Sequence, residues 1–217
     1  MSTDLRRRVR RAALTVPTLA AVAVLPFIGV GSAHAVSADL RADLRPVVVN
    51  NVPGFGTASV SVRGTNLYVT MTASGLLADA PHAAHIHFGA EARHECPSAA
   101  DNTDGDPTRL STSEGAPAYG PVVVSLTKTG DTSPASTLAV DRYDTAPGGN
   151  LTYERGHIKV SQQVARAVSA GEAVIVIHGV DENHDGTYDG TAVSDLDPNL
   201  PAEATDPALC GVIAPQS

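Results

Sequence analysis

From residue 57 onward, apolar and polar side chains mostly alternate with a period of two. Residues 57–63 alternate small polar with apolar positions, Gly64-Thr65-Asn66 supplies a turn, and residues 67–74 alternate again, which predicts a β-hairpin. After a loop at 77–81, the apolar run AAHIHF predicts a third strand. Further strands are expected at 122–127, 137–143, 150–160, 172–180 and 209–213. Helical spacing is confined to 161–170, where Val164 and Val168 lie four apart, Ser161 precedes them and Gly171 follows. Two stretches, 95–121 and 181–207, are rich in Asp, Ser, Thr, Gly and Pro without periodicity, so both are expected to be long loops. Residues 36–56 read as a lead-in, with either a first edge strand around 47–49 or a tether. About eight strands and one short helix predict an all-β fold: a Greek-key antiparallel β-sandwich or barrel with long acidic loops, forming one domain over 57–217.

The N-terminal region changes the compartment. RRRVRR at 6–11 precedes an apolar run over 12–30, and Ala33 and Ala35 form an A-x-A site, so residues 1–35 are expected to be a signal peptide cleaved after Ala35. Pro17, Pro26 and the small residues before Val36 argue against an uncleaved anchor. The adjacent arginines leave both the general secretory and the twin-arginine route open. The expected product is secreted or extracytoplasmic and is not an integral membrane protein. It holds 10 basic and 22 acidic residues, a formal charge of −12, which excludes nucleic acid and anionic membrane surfaces as natural partners.

The candidate chemistry starts at HAAHIHFGAEARHEC, residues 82–96. On a strand, His85 and His87 project from one face while Ala84, Ile86 and Phe88 take the other, which predicts a greasy side inward and two metal ligands outward. A third imidazole, His178, ends the apolar run AVIVIHG. Imidazole suits copper and zinc, although an isolated H-x-H pair is also met as two solvent-facing histidines.

The strand HIHFG, the nine-residue step from His87 to Cys96, the strand VIVIHG and the terminal CGVI together resemble the Cu/Zn superoxide dismutases. The segment GTASVSVRGTNLYVTMTASGL leading into AAHIHFG is similar to the CHRD domain, a β module of secreted proteins. The first resemblance implies copper at His85, His87 and His178, superoxide as the small-molecule substrate, and a disulfide between Cys96 and Cys210. An even cysteine count in an exported chain agrees with the disulfide. The second resemblance implies a non-catalytic binding module with an extracellular partner of unknown identity.

The departures from the dismutase pattern are specific. Its bridging histidine position is Asn102, and no histidine lies between His94 and His157, so a zinc site is not expected. Its guiding arginine position is Pro207, leaving Arg93, Arg109 or Arg155 as substitutes. His94 is a candidate fourth copper ligand and proton donor, whereas His82 and His157 fall on no ligand position and read as surface or internally satisfied residues. Copper binding with little or no dismutase activity is the expectation, and no catalytic residue is assigned. Separately, Asp181, Asn183, Asp185 and Asp189 match the front of an EF-hand loop, D-x-N-x-D-G-x-x-D, and are candidate calcium ligands, although Ala192 stands where that loop has a bidentate glutamate. An Asp/Asn/Gly turn accounts for the same residues.

Overall fold

The predicted hairpin forms as read, and the sheet grows outward from it. The computed structural model describes residues 36–215; the expected signal peptide lies outside the described residues. In chain order the strands are β1 (Ser37–Pro46), β2 (Phe55–Arg63), β3 (Asn66–Ser74), β4 (Pro81–His82), β5 (Ala84–His87), β6 (Val122–Ser125), β7 (Asp144–Thr145), β8 (Leu151–Lys159), β9 (Val174–His178), β10 (Pro207–Val212) and β11 (Ala214–Pro215). Three helices are α1 (Thr112–Tyr119), α2 (Gln162–Ala170) and α3 (Ala202–Thr205). β2 and β3 pair from Phe55 with Ser74 to Arg63 with Asn66, around a turn in which Gly64 has φ +64°. β1 lies on the other side of β2, and β8 on the other side of β3. Leu40, Ala42, Leu44, Val60, Val62, Leu67, Val69 and Met71 all point to one face and fill the main core.

The main sheet is antiparallel throughout and runs β6-β5-β9-β10-β1-β2-β3-β8, with β11 added beside β1. The chain crosses from β3 to β5 and from β8 to β9, between the two halves of the sheet. These are the Greek-key returns of an all-β sandwich or barrel. β1 joins the halves: its body pairs with β2, while Arg45 and Pro46 at its tip pair with Cys210 and Leu209 of β10. A Cβ on Gly211 would lie 2.6 Å from the Asp43 carbonyl oxygen, so that crossing needs glycine. Side chains of the end strand β8 reach the segment just beyond β6: the Arg155 guanidinium donates to the Thr127 carbonyl at 2.5 Å, as does the Tyr153 hydroxyl at 3.4 Å.

Helix α2 appears where its spacing predicts it. Ser161 Oγ accepts the Val164 N–H at 3.1 Å, Gly171 ends the helix at φ +81°, and Ala165, Ala167 and Val168 are buried. Cys96 and Cys210 form the expected disulfide, which ties the start of the long loop to β10.

Three expectations are corrected. Residues 36–56 are not a lead-in: ten of them make β1, an interior strand, and the cluster Val47 to Val49 beyond it lies outside the strand, its last two residues in a turn. Residues 137–143 do not form a strand. Ser133 caps a 3-10 turn at Pro134–Ser136, a second turn follows at Val140–Arg142, and local side-chain bonds from Asp131 and Tyr143 replace a ladder. Residues 95–121 are not loop throughout. Ser111 and Glu114 close a capping box that starts α1, a signal obscured by Gly115 and Pro117 inside the helix.

Candidate metal centre

Strand register alone brings the three histidines together. β5 pairs with β9 so that His85 faces Val176 and His87 faces Val174, and facing residues project to the same side of a sheet. Two residues beyond Val176, His178 therefore lies diagonal to His85 on the face that carries both members of the pair. Ile86, Ile175 and Ile177 take the opposite face and enter the main core. One donor atom from each of His85, His87 and His178 lies within 4.8 Å of the others, and all three residues are buried. The strand is thus covered on both sides rather than presenting ligands outward: α1, the 134–143 segment and the residues around Thr205 close over it.

The surroundings fix which nitrogen of each ring faces inward. His87 Nδ1 lies 2.8 Å from the Gly120 carbonyl oxygen, and His178 Nδ1 lies 2.5 Å from that of Thr205. His85 Nε2 lies 3.1 Å from the Thr137 carbonyl and 2.8 Å from the Tyr143 hydroxyl oxygen, and that hydroxyl can donate its own proton to the Ser136 carbonyl at 2.8 Å. A carbonyl can only accept, so each of these nitrogens carries the proton and the other nitrogen carries a lone pair. The remaining nitrogens, His85 Nδ1, His87 Nε2 and His178 Nε2, are buried and have no hydrogen-bond partner among the described residues. Leaving such groups unpaired costs about 1–3 kcal/mol each. Burial also holds the rings neutral: it lowers His87 to about 3 and His178 to about 4, and His85 lies well below the usual histidine range. Three neutral imidazoles, each oriented by an outer hydrogen bond and each keeping a lone pair, could hold a metal ion.

Two tyrosines wall the group. The Tyr119 ring lies 4.5 Å from His87, centroid to centroid, and that of Tyr143 lies 5.5 Å from His85. Sequence reasoning missed both, and it missed the orienting carbonyls, which carry no side-chain signal. Gly120 was legible in principle: it has φ +86°, and a Cβ there would lie 2.8 Å from the Gly89 nitrogen.

Other candidate residues lie elsewhere. His94 does not join the three; its Nε2 bonds the Gly89 carbonyl at 2.8 Å and its ring stacks on Phe88. Asn102 holds the long loop through the Arg109 carbonyl at 2.8 Å. His82 is buried between the carbonyls of His178 and Leu77, and His157 sits on the surface against Tyr68. The substitute cations are all engaged: Arg93 with Glu95 and Asp101, Arg109 with Asp206 at 3.1 Å, and Arg155 at the β6–β8 seam. Asp181, Asn183, Asp185 and Asp189 share one exposed loop, in which Asp181 accepts the Asp185 and Gly186 N–H groups and the Asn183 amide bridges Asp185 and Asp189.

The family model of the CHRD domain matches residues 36–186. The chain belongs to the CHRD domain family. The match runs from β1 through β9 and includes all three histidines of the CHRD chain, but stops short of β10 and Cys210. No curated protein matches the chain. Among the described residues of this CHRD protein, no helix is long and apolar enough to cross a membrane.

Proposed function

We propose that this CHRD-domain chain is an exported copper-binding module rather than an efficient superoxide dismutase, with His85 Nδ1, His87 Nε2 and His178 Nε2 as the ligands. The observation that carries the reading is the set of three buried, unpartnered nitrogens whose rings are turned inward by outer hydrogen bonds. Copper is favoured over zinc because, at a given nitrogen site, affinity for the divalent ions peaks at copper. When bound, copper would supply a one-electron redox centre. The chain's own contribution is to hold three neutral donors in place and keep bulk water out.

The same surroundings argue against rapid turnover of an anion. Arg93, Arg109 and Arg155 are occupied by other partners, and the charge of residues 36–217 repels negative substrates. His94 is too engaged with Gly89 to serve as a nearby proton donor. The CHRD match favours a non-catalytic binding role, with the metal as part of the module and an extracellular molecule as its partner.

The test is copper and zinc content after desalting the loaded protein, alongside superoxide consumption. The expected result is one copper per chain, lost in His178→Ala, and consumption no faster than free copper with a chelator. Failure to retain copper would leave a binding module whose histidines serve packing alone. Consumption that exceeds the control and disappears in His87→Ala would restore the dismutase reading.

A further inference from the structure

Above the three histidines lies a cavity of about 30 Å³, whose border includes Thr112, Thr137, Leu138, Val140, Leu196 and Thr205 as well as the imidazoles. Space of this size holds about two water-sized bodies, enough for an ion and one further molecule of two or three atoms. We infer that this cavity is a binding site for a small uncharged ligand, taken at the open coordination position of the metal, and that it refuses anions. The inference rests on the metal-binding reading and goes further by naming the class of molecule that reaches the ion.

Three features of the lining carry it. Among the described residues, no lysine or arginine borders the cavity. The three threonine hydroxyls that do border it are already donating: Thr112 to the Thr205 carbonyl at 2.6 Å, Thr137 to the Pro134 carbonyl at 2.7 Å, and Thr205 to Ser194 Oγ at 2.8 Å. A hydroxyl has one proton, so none of the three is free to solvate an incoming anion. The bordering side chains most exposed to solvent are Leu138 at 37%, Val140 at 40% and Leu196 at 41%, an apolar mouth. An anion entering here would lose its hydration and gain no donor or cation in exchange, and it would approach against the charge of the whole chain. A neutral diatomic molecule forfeits almost nothing on the same path. The apolar mouth is therefore a selectivity device.

The test uses the copper-loaded protein, with its metal content measured first. The reduced form is exposed to carbon monoxide and read by the infrared C–O stretch; the oxidised form is titrated with azide and read by its charge-transfer absorption and copper paramagnetic resonance. The expected result is one carbon monoxide per copper and no azide response at millimolar concentrations. In Leu138→Lys, which adds a cation at the half-exposed mouth, azide affinity should rise about ten-fold or more with copper content unchanged. Copper bound normally but open to azide in the unaltered chain, or closed to carbon monoxide, overturns this inference and leaves the metal reading standing. A chain that holds no copper overturns both.

Discussion

The two halves of the sheet solve the same burial problem differently. In β1, β2 and β3, buried positions alternate with exposed or partly exposed ones, because one face meets the core and the other meets water. In β5 and β9 every residue is buried, and in β10 all but the last are. There the second face is covered by irregular chain: Leu110 and Tyr119 from the long loop and α1 join Val47, Val174, Val176 and Cys210 in a second apolar cluster. Among the described residues, the three candidate ligands sit where both faces are covered. A wet face would hydrate the histidine nitrogens and bring their titration back toward the ordinary range, so the loops that close over β5 and β9 are what keep the three strand histidines neutral.

The largest expected effect of that difference is on acid stability. In the folded metal-free chain His87 and His178 titrate at about 3 and about 4, whereas unfolded histidines titrate near 6.5. Between those values the unfolded chain binds protons that the folded chain refuses, so stability is complete above about pH 6.5 and falls by several kcal/mol as the pH drops toward about 4. Copper, if held as proposed, would compete with these protons and steepen the contrast between loaded and metal-free protein. Urea midpoints measured across this range should fall steeply for the metal-free chain and less so for a His87→Ala, His178→Ala double variant. A flat profile in the unaltered chain would mean that the second face is wet.

Arg109 and Asp206 give the next effect, with the opposite pH dependence. Asp206 is fully buried, one carboxylate oxygen lies 3.1 Å from Arg109, and the other has no partner among the described residues. Burial pushes its carboxyl up to about 7, only partly opposed by Arg109. In the folded chain this group keeps its proton where the unfolded chain has released it, so its contribution to stability falls as the pH rises from about 4 to about 7. Arg109→Ala should therefore cost about 3–5 kcal/mol at mildly alkaline pH and much less in acid. Asp206→Asn in the same background should recover most of the loss. On the open half, Arg63→Ala breaks an exposed pair with Asp39 and should leave the unfolding midpoint where it was. A cost for Arg109→Ala that does not change with pH would show that the loss is packing, not charge.

The same difference sets how much was legible in the sequence. The β2–β3 hairpin is readable because alternation and a Gly-containing turn fall together, and β5 and β9 are readable as continuous apolar runs. β1 was overlooked although Leu40, Ala42 and Leu44 alternate, because charged residues between them mask the apolar face and Val47 to Val49 draws the eye to a turn. The ligand set was legible from the histidines and their family resemblance, but its cover was not. That cover consists of backbone carbonyls at Gly120, Thr137 and Thr205 and of a segment, 134–143, whose apolar residues suggest a strand while local turns decide its shape.

Core behaviour in a loop is the next consequence. Leu110 is outside any helix or strand yet fully buried, and Asn50 grips it from both sides through the Leu110 carbonyl at 2.9 Å and N–H at 2.6 Å. Leu110→Ala should cost about 2–5 kcal/mol, as in a sheet core, whereas Thr70→Ala, in the middle of β3 on its exposed face, should stay within about 0.5 kcal/mol. Equal effects at the two positions, measured by denaturant unfolding, would remove the distinction between the halves.

The smallest effect concerns the acidic loop beyond β9, which carries four carboxylates between residues 181 and 189, three of them exposed or partly exposed aspartates. Asp181, Asp185 and Asp189 repel one another, and the loop offsets this with the Asn183 amide and with backbone N–H groups turned toward the carboxylates. A calcium ion drawn from solution would relieve the repulsion directly, but Ala192 offers no bidentate oxygen, so binding is expected to be weak. With a dissociation constant of about 1 mM, 5 mM calcium stabilises the fold by about 1 kcal/mol, which raises the melting temperature by about 2–4 °C in a chain of this size. Asp185→Ala should abolish the rise without lowering the melting temperature in chelator, because Asp185 is exposed and serves only the loop. Magnesium should substitute poorly, since it demands a stricter octahedron than a flexible loop provides. A melting temperature that does not move in millimolar calcium would leave this segment a chain of Asx turns and confine the candidate metal ligands to the three histidines of the covered half.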